Sequence, residues 1–272
     1  MANGTATAPP PGTLPDDRVR ETGRMAHELL VQRILQPDDV TCGPTCLRKV
    51  YQYYGLELEL EQVLGEIDRN EDGGTLAVFL GISALRRGFR ARLYSYDLRI
   101  FDPSWFDLPM PALAEKIHQR IPYLSTAKTV RAAQAYLELL ELGGEIRFDE
   151  LSPSLLKGIL DRDHPILAGL SATYLYRWMR ERQLEDRDEL VPDDVRGEPT
   201  RHFILVAGCE QWGRRFSLRD PSAHVPHARD CDGRQVVDAQ SLINAILLGD
   251  LTYDAVLLEI WPASEEAGEG VA

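Results

Sequence analysis

The spacing of apolar positions predicts helices mainly in the first part of the chain. Residues 42–54 place apolar side chains along one helical face, and Gly55 is suited to end that helix. Alternating apolar and polar residues predict a strand over 89–97. Further helices are predicted over 60–67, 75–88, 113–119, 126–142 and 153–160.

The pattern changes towards the C-terminus, where strands predominate. Strands are predicted over 145–148, 165–170, 201–210, 214–220 and 254–261, helices over 171–183 and 241–248, and a polar loop over 185–199. A chain in which helices come first and antiparallel strands last has the element order of an α+β fold. We therefore predict one domain over 25–262, with a disordered tail over 1–24 and an acidic tail over 263–272.

The composition is that of an acidic globular protein. The 272 residues include 43 Asp and Glu against 30 Lys and Arg, which gives a formal net charge of −13. This charge argues against nucleic acid as a partner. No apolar run reaches the ~18 residues that a membrane span needs. Without a recognisable secretory signal, we expect a cytoplasmic protein whose cysteines are reduced.

Cys42 is the first candidate for chemistry, because it begins the predicted helix. A thiol at a helix N-terminus faces unpaired backbone N–H groups and the positive end of the helix dipole, which favour the nucleophilic thiolate. Gly43 is expected to let a substrate backbone approach. The side-chain amide of Gln36, six residues before Cys42, could donate a hydrogen bond to an oxyanion alongside the Cys42 backbone N–H.

A base for this thiol is predicted at the start of a later strand. His202 begins the segment HFILVAG, and Asp220 ends the next predicted strand in SLRDP. Two adjacent strands joined by a tight turn bring the start of one beside the end of the other. Asp220 would then orient the His202 ring and stabilise its imidazolium form.

These motifs resemble those of a known family. QPDDVTCGPTCL, a helix ending in YYG, then GGTL, HFILVAG and DP are similar to the bacteriocin-processing, double-glycine cysteine peptidases, the thirty-ninth cysteine peptidase family. The resemblance covers most of residues 30–260, with extra helices inserted near 98–150. It implies a papain-like fold, with Cys42 as nucleophile, His202 as general base, Asp220 as its orienting group and Gln36 as oxyanion donor.

The resulting hypothesis is a cysteine peptidase without a cofactor that acts on a peptide or protein substrate. An acyltransferase could use the same acyl-enzyme with an amine or thiol in place of water. A non-catalytic peptide-binding module is the third possibility, and it predicts that Cys42→Ala leaves function intact. The sequence does not give the oligomeric state.

The remaining cysteines and the acidic stretches have simpler interpretations. Cys46 and Cys209 are predicted to pack in the core and Cys231 to lie in a loop, and their spacing is a weak signal for a metal site, so none is predicted. Acidic residues are concentrated in 56–72 and 185–198. A solvated surface is the ordinary explanation, and the alternative is that the second stretch covers the cleft or selects a basic substrate.

Overall fold

The computed structural model describes most of the chain in five segments, which cover residues 26–70, 73–184, 190–224, 234–249 and 256–264. The predicted tail over 1–24, nearly all of the tail over 263–272, and Cys231 lie outside these segments. The fold class is α+β, as predicted.

The first part of the chain is mainly helical. Its helices and strands in chain order are β1 His27–Glu28, α1 Cys42–Tyr53, α2 Leu60–Leu64, α3 Ala77–Arg86, β2 Phe89–Ser95, α4 Met110–Arg120, α5 Ala127–Glu141, β3 Glu145–Arg147 and α6 Pro153–Leu160. The helices α4 and α5 lie where the inserted region was expected, and α5 packs on α3.

The second part supplies most of the sheet. It contains β4 Ile166–Ser171, α7 Ala172–Tyr176, β5 Glu181–Gln183, β6 Leu190–Pro192, β7 Arg201–Glu210, β8 Arg215–Arg219, β9 Arg234–Asp238, α8 Ala239–Leu248 and β10 Val256–Pro262. In the described chain, eight strands form one sheet in the order β3-β2-β10-β4-β7-β8-β9, with β1 paired to β7.

The sheet differs from the prediction in one respect, because strands of the first part also join it. The strand β2 pairs antiparallel with β10, and β3 pairs parallel with β2. The central strands are fully covered, as the uniformly buried β4 and the almost wholly buried β7 show. Helices packed on such strands supply the apolar partners that make this burial favourable.

The predicted helix over 171–183 is wrong in its second half. The helix α7 ends at Tyr176, and Arg177 has a left-handed φ of 58°. Residues Glu181–Gln183 instead pair with Leu190–Pro192 as a separate two-stranded sheet. This pairing satisfies backbone groups through a second segment and not within one helix, so the local apolar spacing that predicted a longer helix did not decide the outcome.

Helix α1 and strand β7 together position the candidate site. Pro44 is tolerated in the first turn of α1, because the backbone N–H groups there have no partner within the helix. Gly55 ends the segment with a φ of 82°. The Cys46 Sγ donates to the backbone oxygen of Phe203 at 3.4 Å, which ties α1 to β7 beside His202.

Candidate active site

Cys42 is the first residue of α1 and is partly exposed, whereas the next residues of the helix are buried. No acidic residue lies in the first helical turn. A thiolate at this position would therefore face the positive end of the helix without a competing carboxylate on its own turn.

Gly43 has a different role from the one expected. A Cβ atom added to Gly43 would lie 2.7 Å from Thr75 Cγ2 and 3.1 Å from Phe203 Cδ2. The space beside its Cα is therefore filled by the protein itself, not left for a substrate backbone. The missing side chain lets the start of α1 approach β7 closely, next to His202.

The structure brings His202 and Asp220 together. His202 Nε2 lies 2.8 Å from Asp220 Oδ1, because the start of β7 lies beside the end of β8. Asp220 is completely buried, and His202 is nearly so. With Nε2 committed to the carboxylate, the second ring nitrogen is left to interact with Cys42.

Electrostatics favour a charged His202. Burial alone lowers the pKa of His202, but the charge of Asp220 and hydrogen bonds to Asp220 and Cys42 outweigh burial and raise this pKa to about 10. Burial likewise opposes ionisation of Asp220, yet His202 and the other hydrogen-bond donors hold its pKa below the ordinary value. An imidazolium between a carboxylate and a thiol is the arrangement that stabilises a thiolate.

Two further groups hold Asp220, and no sequence pattern predicted either of them. The Ser222 backbone N–H donates to Asp220 Oδ1 at 2.7 Å. The Tyr176 hydroxyl donates to Asp220 Oδ2. Tyr176 lies 44 residues before Asp220 in a helix that ends there. Only the tertiary structure, which brings the end of α7 beside Asp220, reveals the contact.

Gln36 lies beside Pro221, the residue that follows Asp220. Its backbone N–H donates to the Pro221 oxygen at 2.9 Å, which fixes the Gln36 segment next to Asp220. Its side-chain Nε2 donates to the Asp38 oxygen at 2.7 Å. An amide nitrogen carries two N–H groups, so one of them stays available for a substrate.

The other described thiols are unsuited to nucleophilic chemistry. Cys46 and Cys209 are buried in the core, as predicted, and burial raises the pKa of each. Among the described residues, no cluster of three or more His, Cys, Asp and Glu side chains is arranged to hold a metal ion. No helix in the described part of the chain is both long and apolar enough to cross a membrane.

Comparison with known proteins finds a family model that matches the segment containing Cys42. Residues 31–130 match the model of the Peptidase C39 family. Over these residues the chain is similar to that family. The match confirms the resemblance noted from the motifs and, with it, the class of enzyme, a cysteine-type peptidase. It includes Gln36 and Cys42, whereas His202 and Asp220 lie outside it.

Solved structures show more distant likenesses. A double-glycine-motif protease from an AMS/PCAT transporter, solved with its leader peptide, is 14% identical with a TM-score of 0.41, over 87% of this chain and 94% of that one. The peptidase domain of Streptococcus ComA, a bi-functional ABC transporter of a quorum-sensing pathway, is 13% identical with a TM-score of 0.41, over 85% and 98%. A C39-like peptidase from Bacillus anthracis is 12% identical with a TM-score of 0.42, over 86% and 96%. No curated protein is similar enough to match the chain.

Proposed function

We propose that this C39 peptidase hydrolyses peptide bonds through a triad of Cys42, His202 and Asp220. The observation that carries the proposal is that buried His202 interacts with Cys42 and Asp220 at once. His202 is thereby placed to keep a proton that the thiol gives up. The substrate class is a peptide or protein.

The reaction begins with an ion pair. The Cys42 thiolate attacks the carbonyl carbon of the scissile bond, and the carbonyl oxygen becomes an oxyanion. The His202 imidazolium then gives its proton to the leaving amine, and the C–N bond breaks to leave a thioester on Cys42. His202, now neutral, takes a proton from water, and the hydroxide so formed attacks the carbonyl carbon of the thioester. The C–S bond then breaks, which releases the acid product and restores the thiolate beside the His202 imidazolium.

The oxyanion is held by the Cys42 backbone N–H and the free N–H of Gln36. The first donor has no intrahelical partner, because Cys42 is the first residue of α1. The second belongs to a segment that the Pro221 oxygen fixes in place. Donors that are positioned before the reaction stabilise the developing charge without a cost for reorganisation.

The test is site-resolved alkylation with iodoacetamide, followed by tryptic mass spectrometry. We expect Cys42 to be alkylated selectively below about pH 7, and His202→Ala to abolish this selectivity. Cys46 and Cys209 serve as internal controls, since both are buried thiols. Uniform labelling of Cys42, Cys46 and Cys209, or labelling indifferent to His202→Ala, would refute the triad.

Cleavage itself is tested by incubating the protein with a peptide library and reading new N-termini by mass spectrometry. We expect new termini with the wild-type protein and none with Cys42→Ala. Adding an amine separates hydrolysis from acyl transfer, because a transferase would attach the amine to the acid product. Equal cleavage by wild type and Cys42→Ala would contradict the proposal.

A further inference from the structure

The Asp220 carboxylate is held at both of its oxygens. His202 Nε2 and the Ser222 backbone N–H both bind Oδ1, at 2.8 and 2.7 Å. The Tyr176 hydroxyl binds Oδ2. Within the described residues, Tyr176 is the donor that reaches this second oxygen. A carboxylate bound at one oxygen can rotate about its Cβ–Cγ bond, and binding at the second oxygen prevents this.

Tyr176 is itself held in place on both sides. At the start of α7, the Ala172 backbone N–H donates to the Thr200 oxygen at 2.9 Å, two residues before His202. At its end, the Tyr176 ring packs against the Trp178 ring at 4.9 Å. The hydroxyl is therefore directed at Asp220 by elements anchored to the strand that carries His202.

We infer that Tyr176 is a positioning residue of the active site, which keeps Asp220 ionised and directed at His202. The inference rests on the proposed triad, because it gives Tyr176 no role other than through Asp220. The hydroxyl faces the carboxylate and takes part in no bond-making or bond-breaking step. The proposed reaction therefore transfers the same atoms and protons with or without it.

The chemistry of the hydroxyl suits this role. Burial, and then the charge of Asp220, raise the pKa of Tyr176 well above its ordinary value. The group therefore stays protonated and remains a donor across the working range of the enzyme. A donor to a buried carboxylate stabilises its charged form and lowers its pKa.

Other ionisable groups also face Asp220. Burial raises the pKa of Cys46 on α1, so this group is a neutral thiol beside the carboxylate. Lys49, also on α1, is almost completely buried, and burial lowers its pKa while Asp220 acts to raise it. Neither group donates a hydrogen bond to Asp220 in the structure, so neither replaces the Tyr176 hydroxyl.

The experiment measures how Cys42 alkylation by iodoacetamide depends on pH between about 3.5 and 9. In Tyr176→Phe, the ring and its packing are kept and only the donor is lost. The pKa of Asp220 then rises, so His202 loses its charged partner at a higher pH. We expect the acid limb of the profile to move up by about one pH unit, and the rate on that limb to fall about tenfold.

Tyr174→Phe is the matched control. It removes a hydroxyl from the same helix that is bonded to Asn244 Nδ2 at 3.1 Å and not to Asp220, and the acid limb should not move. In an Asp220→Asn background, which keeps the volume but has no charge to titrate, Tyr176→Phe should also cause no shift. A wild-type profile for Tyr176→Phe, or a shift that persists in Asp220→Asn, would overturn the inference.

Failure of the proposed function gives a different result. If the triad is wrong, Asp220→Asn alone leaves the profile unchanged, whatever Tyr176→Phe does. Thermal unfolding of each variant tests whether it is folded. If Tyr176→Phe does not fold, 3-fluorotyrosine at position 176 replaces it. Its more acidic hydroxyl is a stronger donor, so the acid limb should move to lower pH, and an unmoved limb would count against the inference.

Discussion

Gly43→Ala is the change that tests most directly how the fold positions Cys42. The added methyl group would lie 2.7 Å from Thr75 Cγ2, 3.1 Å from Phe203 Cδ2 and 3.2 Å from Leu80 Cδ1, whereas ordinary contacts begin near 3.4 Å. The largest deficit is therefore 3.4 − 2.7 = 0.7 Å. Either the three neighbours or the start of α1 must move.

The neighbours have little freedom to move. Thr75 is nearly buried, and its hydroxyl donates to the Asp68 oxygen at 3.1 Å, which fixes the rotamer that directs Cγ2 at Gly43. Phe203 belongs to a central strand of the sheet. We therefore expect α1 to shift away from β7, and Cys42 to move away from His202 with it.

The expected magnitudes follow from this geometry. Overpacking a core by one methyl group costs about 1–3 kcal/mol of the free energy of unfolding. A misplacement of about 1 Å at a catalytic group costs about 100-fold in rate, so a shift of this size should lower kcat by about ten- to 100-fold. KM should change little, because no substrate-binding group is removed.

The assay combines thermal unfolding with the rate of Cys42 alkylation at pH 6 and the rate of peptide cleavage. Gly158→Ala is the matched control, because a Cβ at Gly158 meets nothing within 4 Å. It lies in α6, where alanine should stabilise the helix by about 0.5–1 kcal/mol. Thr75→Ser removes the nearest methyl group, so Gly43→Ala with Thr75→Ser should recover part of the loss. Wild-type stability and rates in Gly43→Ala would refute the packing argument.

Three further changes test polar and charged groups, two in the candidate site and one elsewhere in the sheet. Asp220→Asn should lower the midpoint of the His202 titration, followed by NMR, from about 10 by about two units, and an unchanged midpoint would show another origin for the raised pKa. Gln36→Ala should lower kcat of peptide cleavage by about 100- to 1,000-fold at constant KM, and a change in KM alone would assign Gln36 to ground-state binding. Burial opposes ionisation of Glu259, but hydrogen bonds from His164 and Arg162 outweigh it and lower the pKa of Glu259 from 4.5 to about 2. This shift adds about 3 kcal/mol to the free energy of unfolding above pH 4.5. This contribution is lost as the pH falls from 4.5 to 2, and Glu259→Gln should therefore reduce the pH dependence of thermal unfolding in that window; a slope identical to wild type would contradict the assignment.

The parts of the site that the sequence predicted are those with a local cause. A cysteine at the start of a periodic apolar segment indicates a helix N-terminus, and α1 begins at Cys42. Two strands joined by a tight turn bring their ends together, and His202 meets Asp220 for that reason. Both predictions used only the geometry of a single helix or of one pair of adjacent strands.

The parts that the sequence did not predict depend on contacts between separate segments of the chain. Tyr176 was predicted within a longer helix, and nothing in its neighbourhood indicated a contact with Asp220. Gly43 was expected to serve the substrate, because its neighbours Thr75 and Phe203 are far away in sequence. The two-stranded pairing of 181–183 with 190–192 also competes with the local helical pattern. In each case a contact with another segment, and not the local pattern, determines the structure or role of the residue.

The acidic stretch over 56–72 serves the fold of the helical half. Glu59 and Gln62 form a reciprocal cap at the start of α2. Glu66 pairs with Arg87, and Glu57 accepts hydrogen bonds from Gln52. These carboxylates have partners within the protein, so the stretch fits a solvated structural surface and needs no basic ligand to explain it.

In the second acidic stretch, the carboxylate of Asp193 likewise has its partners within the protein. Its carboxylate accepts hydrogen bonds from the backbone N–H groups of Val195 and Arg196, and it pairs with the side chains of Arg182 and Arg196. These donors hold the pKa of Asp193 well below its ordinary value, although the opposing effect of desolvation is present. A carboxylate that already has four donors in its own turn and hairpin has little capacity left for a substrate cation. Selection of a basic substrate by this stretch would therefore have to come from acidic residues other than Asp193.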